Sequence, residues 1–167
     1  GHETFPLKFG WLKKVYDICS KFEKTKKPLS DAFIHDTAIA DFGVGKNMVN
    51  AIKHWAIACK ILEKSCDKDA RSELRISKYG NLLFGVKGID PYLENADSIW
   101  LLHWLLASDE VYGLYYYLFN FHRETFFSKK SLIRKLKENY EDQSLSSDNI
   151  LERDFDTLIQ SYTSSSL

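Results

Sequence analysis

Lys46, Asn47, Asn50, Lys53, His54 and Lys60 stand close together in one short stretch of the chain. Their types suit contact with a polyanion that carries readable edges. Lysine ammonium groups meet phosphates, while an amide or an imidazole can exchange hydrogen bonds with a base. Arg75 and Lys78 follow in a polar region, and a sequence-independent phosphate contact needs nothing more than positive charge there. A denser patch, Lys129, Lys130, Arg134, Lys135 and Lys137, lies further on. Each group also suits an ordinary solvated helix face, because Lys and Asn are common surface residues.

Other chemistries find less support. Gly43-Val44-Gly45-Lys46 superficially resembles a phosphate loop, yet no glycine lies at the required upstream spacing, and Asn47 stands where the magnesium-binding hydroxyl would be. His2, His35, His54, His103 and His122 are scattered, without spacing that would converge on a metal. Cys19, Cys59 and Cys66 form no CxxC pair, and no serine or cysteine has a nucleophile elbow around it. No enzyme, cofactor or metal site is expected. The aromatic run Tyr112 to Phe121 could stack bases, but aromatics at helical spacing more often form core or interface.

The contact residues need a scaffold. Trp11, Val15, Ile18 and Phe22 recur at helical spacing over Phe9–Phe22. A second helix is expected from Ser30 or Asp31 through Phe42, ended by Gly43, the residue best able to turn left-handed. A third runs from about Lys46 to Lys60, burying Met48, Ile52, Trp55 and Cys59 between Val49 and Ala56 and leaving Lys46, Asn50, Lys53, His54 and Lys60 outward. Glu73–Ser77 alternates with period two, and Asn81–Phe84 reads as its partner strand or as a short helix. Helix, turn, helix and two strands is the order of a winged helix-turn-helix. Helices are then expected over Ala96–Ala107, Val111–Phe121, Lys129–Tyr140 after Ser128, and Ile150–Tyr162.

The chain has 167 residues, 23 Lys+Arg and 23 Asp+Glu, a formal net charge of zero. That balance divides unevenly: residues 1–140 hold 22 cations and 17 acids, and residues 141–167 one arginine and six acids. The acidic end reads as a linker and helix whose removal would strengthen nonspecific DNA binding. With 44% hydrophobic residues, 14% aromatics, 8 Gly and 3 Pro, the composition excludes a disordered tail, a collagen-like repeat and a disulfide-stapled miniprotein. The odd number of cysteines favours a reducing cytoplasm. The apolar stretch Ile99–Ala107 is well short of a membrane span.

Five segments carry a family resemblance: Gly1-His2-Glu3-Thr4-Phe5 with Phe9-Gly10-Trp11-Leu12-Lys13-Lys14; Gly43-Val44-Gly45-Lys46-Asn47-Met48-Val49 with Ile52 and Trp55; Tyr79-Gly80 with Leu82-Leu83-Phe84-Gly85; Asp90-Pro91-Tyr92-Leu93-Glu94 running to Trp100-Leu101-Leu102-His103-Trp104-Leu105-Leu106; and, more weakly, Glu152-Arg153-Asp154-Phe155-Asp156. On these residues the chain resembles the prokaryotic domain of unknown function 4007 family. The resemblance implies a similarity to the N-terminal half of longer proteins found beside sulfurtransferase-like, DNA-modification and phage-defence functions, hence DNA phosphorothioation or a related pathway. It supplies no catalytic residues. The segment Gly1–Phe5 reads as a polar latch against the core, with a functional site as the alternative.

The expectation is therefore a mainly α (α+β) protein, a winged helix-turn-helix over residues 1–88 followed by an all-helical region: a helical subdomain over 89–140, then the acidic linker and C-terminal helix over 141–167. Its expected partner is double-stranded DNA, read through Lys46, Asn47, Asn50, Lys53, His54, Lys60, Arg75 and Lys78. The alternative is an adaptor that joins other defence-system proteins without touching DNA. A cytoplasmic protein with no membrane contact is expected, and a homodimer is left open.

Overall fold

In the first helix, α1 (Phe9–Lys24), the buried stripe is Leu12, Val15, Tyr16, Ile18 and Cys19. Trp11 and Phe22 sit only half-buried at its borders. Apolar periodicity alone favoured those larger aromatics, but the smaller residues one step round the helix fill the core. The computed structural model that shows this describes residues 1–65, 74–140 and 146–163. The chain separates into two compact units, Gly1–Leu105 and Leu106–Leu167.

In the first unit, the helix expected from Ser30 or Asp31 is broken. Leu29–Phe33 is a single 3-10 turn, Ile34 is extended (φ −72°, ψ 127°), and α2 spans only His35–Phe42. The Ile34 N–H donates to the Asp31 carbonyl at 3.1 Å, the short-range bond of a tight turn. Gly43 ends α2 in the left-handed conformation (φ 65°, ψ 32°), its N–H donating to the Ile39 carbonyl at 2.9 Å. The Lys14 ammonium donates to the Phe42 carbonyl at 2.6 Å, tying α1 to the C-terminus of α2.

After Gly45, α3 runs Lys46–Ala58 and buries Val49, Ala51, Ile52, Trp55, Ala56 and Ala58. Met48 is half-buried rather than central. The helix stops two residues before Lys60. The Lys60 N–H donates to Ile57 O at 3.0 Å and the Ile61 N–H to Ala56 O at 2.8 Å, with Lys60 itself left-handed at φ 56°. That is a Schellman closure with lysine in the position glycine usually takes.

The sheet differs from its expected pairing. β1 (Leu62–Lys64) pairs antiparallel with β2 (Leu74–Ile76) in the register Leu62↔Ile76, Glu63↔Arg75, Lys64↔Leu74. Asn81–Phe84 takes the second of its two expected forms, a short helix, as part of α4 (Lys78–Phe84). Ser77 decides this, because its hydroxyl oxygen accepts from Tyr79 N at 3.1 Å and Gly80 N at 3.0 Å and so starts a helix. The same hydroxyl donates to the Lys60 carbonyl. Tyr16 Oη donates to Asn81 Oδ1 at 3.0 Å, linking α4 to α1. In the following loop Asp90 accepts from Glu94 N and Asn95 N at 3.0 and 2.9 Å; the Ser98 hydrogen bond, aided by backbone N–H groups, holds its carboxyl below the usual range. Then comes α5 (Ala96–Ala107), as expected.

The second unit is helical in its described residues: a 3-10 turn at Glu110–Tyr112, α6 (Gly113–Asn120), α7 (Lys129–Asn139) and α8 (Asp148–Thr163). Ser128 and Ser131 form a reciprocal capping box at the start of α7. Leu132, Ile133 and Leu136 are buried on α7, and Leu151, Phe155 and Leu158 on α8, which packs against α6 and α7. The C-terminal helix is thus core, not an appendage. Among the described residues, no helix is long and apolar enough to cross a membrane.

Candidate nucleic-acid interface

At 100° per residue, Lys53, Lys46, Asn50, His54 and Asn47 occupy an arc of about 120° opposite the buried stripe of α3. Local sequence sets that arc; the surroundings decide how much of it meets solvent. Lys46 and Asn47, on the first turn, are exposed. Asn50, Lys53 and His54 are half-buried. The Lys53 ammonium lies 5.3 Å from the centre of the Phe33 ring, so the 3-10 turn covers part of this side. His54 lies under His2, their ring centres 5.5 Å apart and edge-on.

His2 belongs to a feature that spacing on α3 could not reveal. Its ring also stacks on Trp55, with centres 5.9 Å apart and planes inclined by 22°. The Trp55 indole N–H donates to the Phe5 carbonyl at 2.9 Å. Between these anchors the chain turns sharply: Phe5 N–H donates to His2 O at 2.8 Å and Thr4 N–H to His2 Nδ1 at 3.1 Å. The N-terminal segment therefore docks on α3 and helps hold Trp55 at 1% exposure.

The other cations are dispersed. Lys60 lies just past α3, its carbonyl engaged by Ser77. Arg75 is exposed on β2 and pairs with Glu63 across the hairpin at 2.9 Å. Lys78 opens α4, its ammonium 4.8 Å from the Tyr79 ring centre. Residues 66–73 between β1 and β2, where a wing tip would be and which include Cys66, lie outside the described residues. The stretch α2–Gly43–α3 is not itself basic, because Asp36 and Asp41 offset Lys46 and Lys53. On α7, four of the five cations are ion-paired: Lys129 with Asp156 at 2.7 Å, Arg134 with Glu138 at 3.6 Å, Lys135 with Glu124 and Lys137 with Asp148. The Lys135 hydrogen bond holds the Glu124 carboxyl below its usual range. Carboxylates from α8, from the preceding loop and from α7 itself thus pair with most of that patch.

Burial pushes the Cys19 and Cys59 thiols from an ordinary 9.0 up to about 12, the reverse of an activated nucleophile. Among the described residues, no three His, Cys, Asp or Glu side chains gather where they could hold a metal ion.

Two solved structures resemble the chain throughout. One, described as a magnesium ion-bound SspB crystal structure, has a TM-score of 0.75 and 30% sequence identity, covering 95% of this chain and 47% of its own. The other, an SspB crystal structure, has a TM-score of 0.73 and 30% identity, covering 95% and 48%. The chain spans about half the length of these relatives. No curated protein matches it. The sequence model of the family described as "Protein of unknown function (DUF4007)" matches residues 1–166. With a match that runs essentially end to end, the chain belongs to that family.

Proposed function

We propose that the chain binds duplex DNA through a winged helix-turn-helix made of α2, the Gly43 turn, α3 and the β1–β2 hairpin. Its place would be a regulatory or recognition part of a prokaryotic DNA-modification defence system of the phosphorothioation kind, the setting that the family resemblance implies. One observation carries the reading: Lys46 and Asn47 are exposed on the first turn of α3, after a three-residue turn that begins at the left-handed Gly43, with an antiparallel hairpin following. Recognition helices meet base edges with their N-terminal residues. Half-burial of Asn50, Lys53 and His54 shifts the reading toward that first turn. Among the relatives, magnesium is named for one; the side chains described here offer no cluster that fits it, so no step is assigned to it.

The test is binding to duplex DNA over a range of salt. The double variant Lys46→Ala/Lys53→Ala should lose about 3- to 10-fold in affinity, and its log–log salt slope should fall by about 1 to 2. Unchanged affinity and slope would sink the α3 reading.

A second reading, an adaptor within such a system, is favoured by Trp100 and Trp104, 67% and 59% exposed one turn apart on α5. Tryptophan at this exposure is characteristic of protein interfaces. Retention of a protein partner together with no retention on DNA at moderate salt would select it.

A further inference from the structure

Glu3 and Thr4 both have left-handed backbones, at φ 49° and 65°. Two consecutive positive φ values are the signature of a tight turn that asparagine and glycine fill without strain. Threonine, β-branched, is among the residues least suited to it. The exposed tip carries a carboxylate and a hydroxyl where glycine would follow the same path more easily: the Thr4 hydroxyl donates to the Glu3 carbonyl at 2.6 Å, and the Glu3 carboxylate lies 4.0 Å from the N-terminal ammonium. Strained positions that retain their side chains tend to use them. The turn is pinned from below by the Trp55–Phe5 hydrogen bond and the stacked His2 ring, and its flank touches His54. His54 lies about 12 Å along α3 from Lys46, less than half of the roughly 34 Å turn of a DNA duplex.

We propose that the His2–Phe5 turn is a second contact element of the α3 surface, placing Glu3 and Thr4 against the same duplex that Lys46 and Asn47 meet. The inference rests on the DNA-binding reading above. Phosphates repel the Glu3 carboxylate, whereas a base amino group such as cytosine N4 satisfies it, so Glu3 lowers general affinity and raises selectivity.

Glu3→Lys and Glu3→Gln test this in the full chain, with a mixed-sequence duplex titrated at several salt concentrations. Glu3 is exposed, so both variants should melt like the parent. Glu3→Lys should bind about 3- to 10-fold more tightly at low salt with a salt slope steeper by about 1, and Glu3→Gln should fall between it and the parent. If Glu3→Lys changes neither quantity while Lys46→Ala/Lys53→Ala weakens binding, the turn faces away from DNA and this inference alone is overturned. Should the parent chain show no duplex binding, both readings fall. Tighter binding by Glu3→Lys with no effect of the Lys46/Lys53 pair would sink the α3 reading and this inference with it, since a cation added anywhere on the surface raises nonspecific affinity.

Discussion

Burial makes Cys19 and Cys59 inert apolar side chains, with thiols raised to about 12 by desolvation. Both should resist a thiol reagent in the native protein and react only on unfolding, as timed colorimetric labelling with and without denaturant would show. The sign for stability follows from the same shift. Below the ordinary value of 9.0 the thiols are neutral in both states; between 9.0 and about 12 only the unfolded thiols ionise, so stability should fall over that window. Lys60 illustrates the opposite case, a residue in a position chemically suited to another. Its left-handed backbone predicts that Lys60→Gly stabilises the fold by ~0.5–1 kcal/mol, read by denaturant unfolding. If Lys60 also meets phosphate, that gain should come with weaker DNA binding, separating stability from function.

Between elements, α4 sits close against the Ile61 carbonyl just before β1 and against Ile76 of β2. A Cβ added to Gly80 would lie 2.6 Å from the Ile61 carbonyl oxygen and 3.2 Å from Ile76 Cγ2. The obstacle is backbone, which cannot swing aside. Gly80→Ala should therefore destabilise the chain by ~2 kcal/mol, measured by thermal or denaturant unfolding. Ser77 lies at the same junction, so its loss would remove the cap of α4 and the bond to Lys60 together. This junction explains why Asn81–Phe84 is helical: four residues without a period suited a strand or a short helix alike, and the Ser77 cap selected the helix. Likewise β1 was hidden in a charged stretch, because a strand of three residues leaves too little pattern to read.

At the scale of the whole molecule, the uneven charge distribution acquires a structural meaning. Residues 141–167 carry six acids against one arginine, and two of those acids, Asp148 and Asp156, pair with Lys137 and Lys129 while Leu151, Phe155 and Leu158 fill the core of the second unit. Truncation after Tyr140 should expose Leu132, Ile133 and Leu136 and unfold this unit, seen as lost helicity and dye binding rather than a simple gain in DNA affinity. Exposed ion pairs of this kind contribute at most ~1 kcal/mol each, so the apolar faces and not the charges hold α7 to α8.

The sequence by itself determined the helices with strong apolar stripes, the left-handed glycine after α2, the serine cap of α7 and the arc of polar residues on α3, because each depends on residues a few positions apart. Family membership was legible too, in ordered motifs spread along the chain. Tertiary structure alone decided which of those polar residues reach solvent: Phe33 and His2 arrive from 20 and 52 positions away in sequence to cover Lys53 and His54. It also decided that four of the five α7 cations are ion-paired, and that the latch expected at residues 1–5 takes the form of a strained turn seated on Trp55 and His54. Such outcomes depend on where distant segments pack, and no local spacing encodes that.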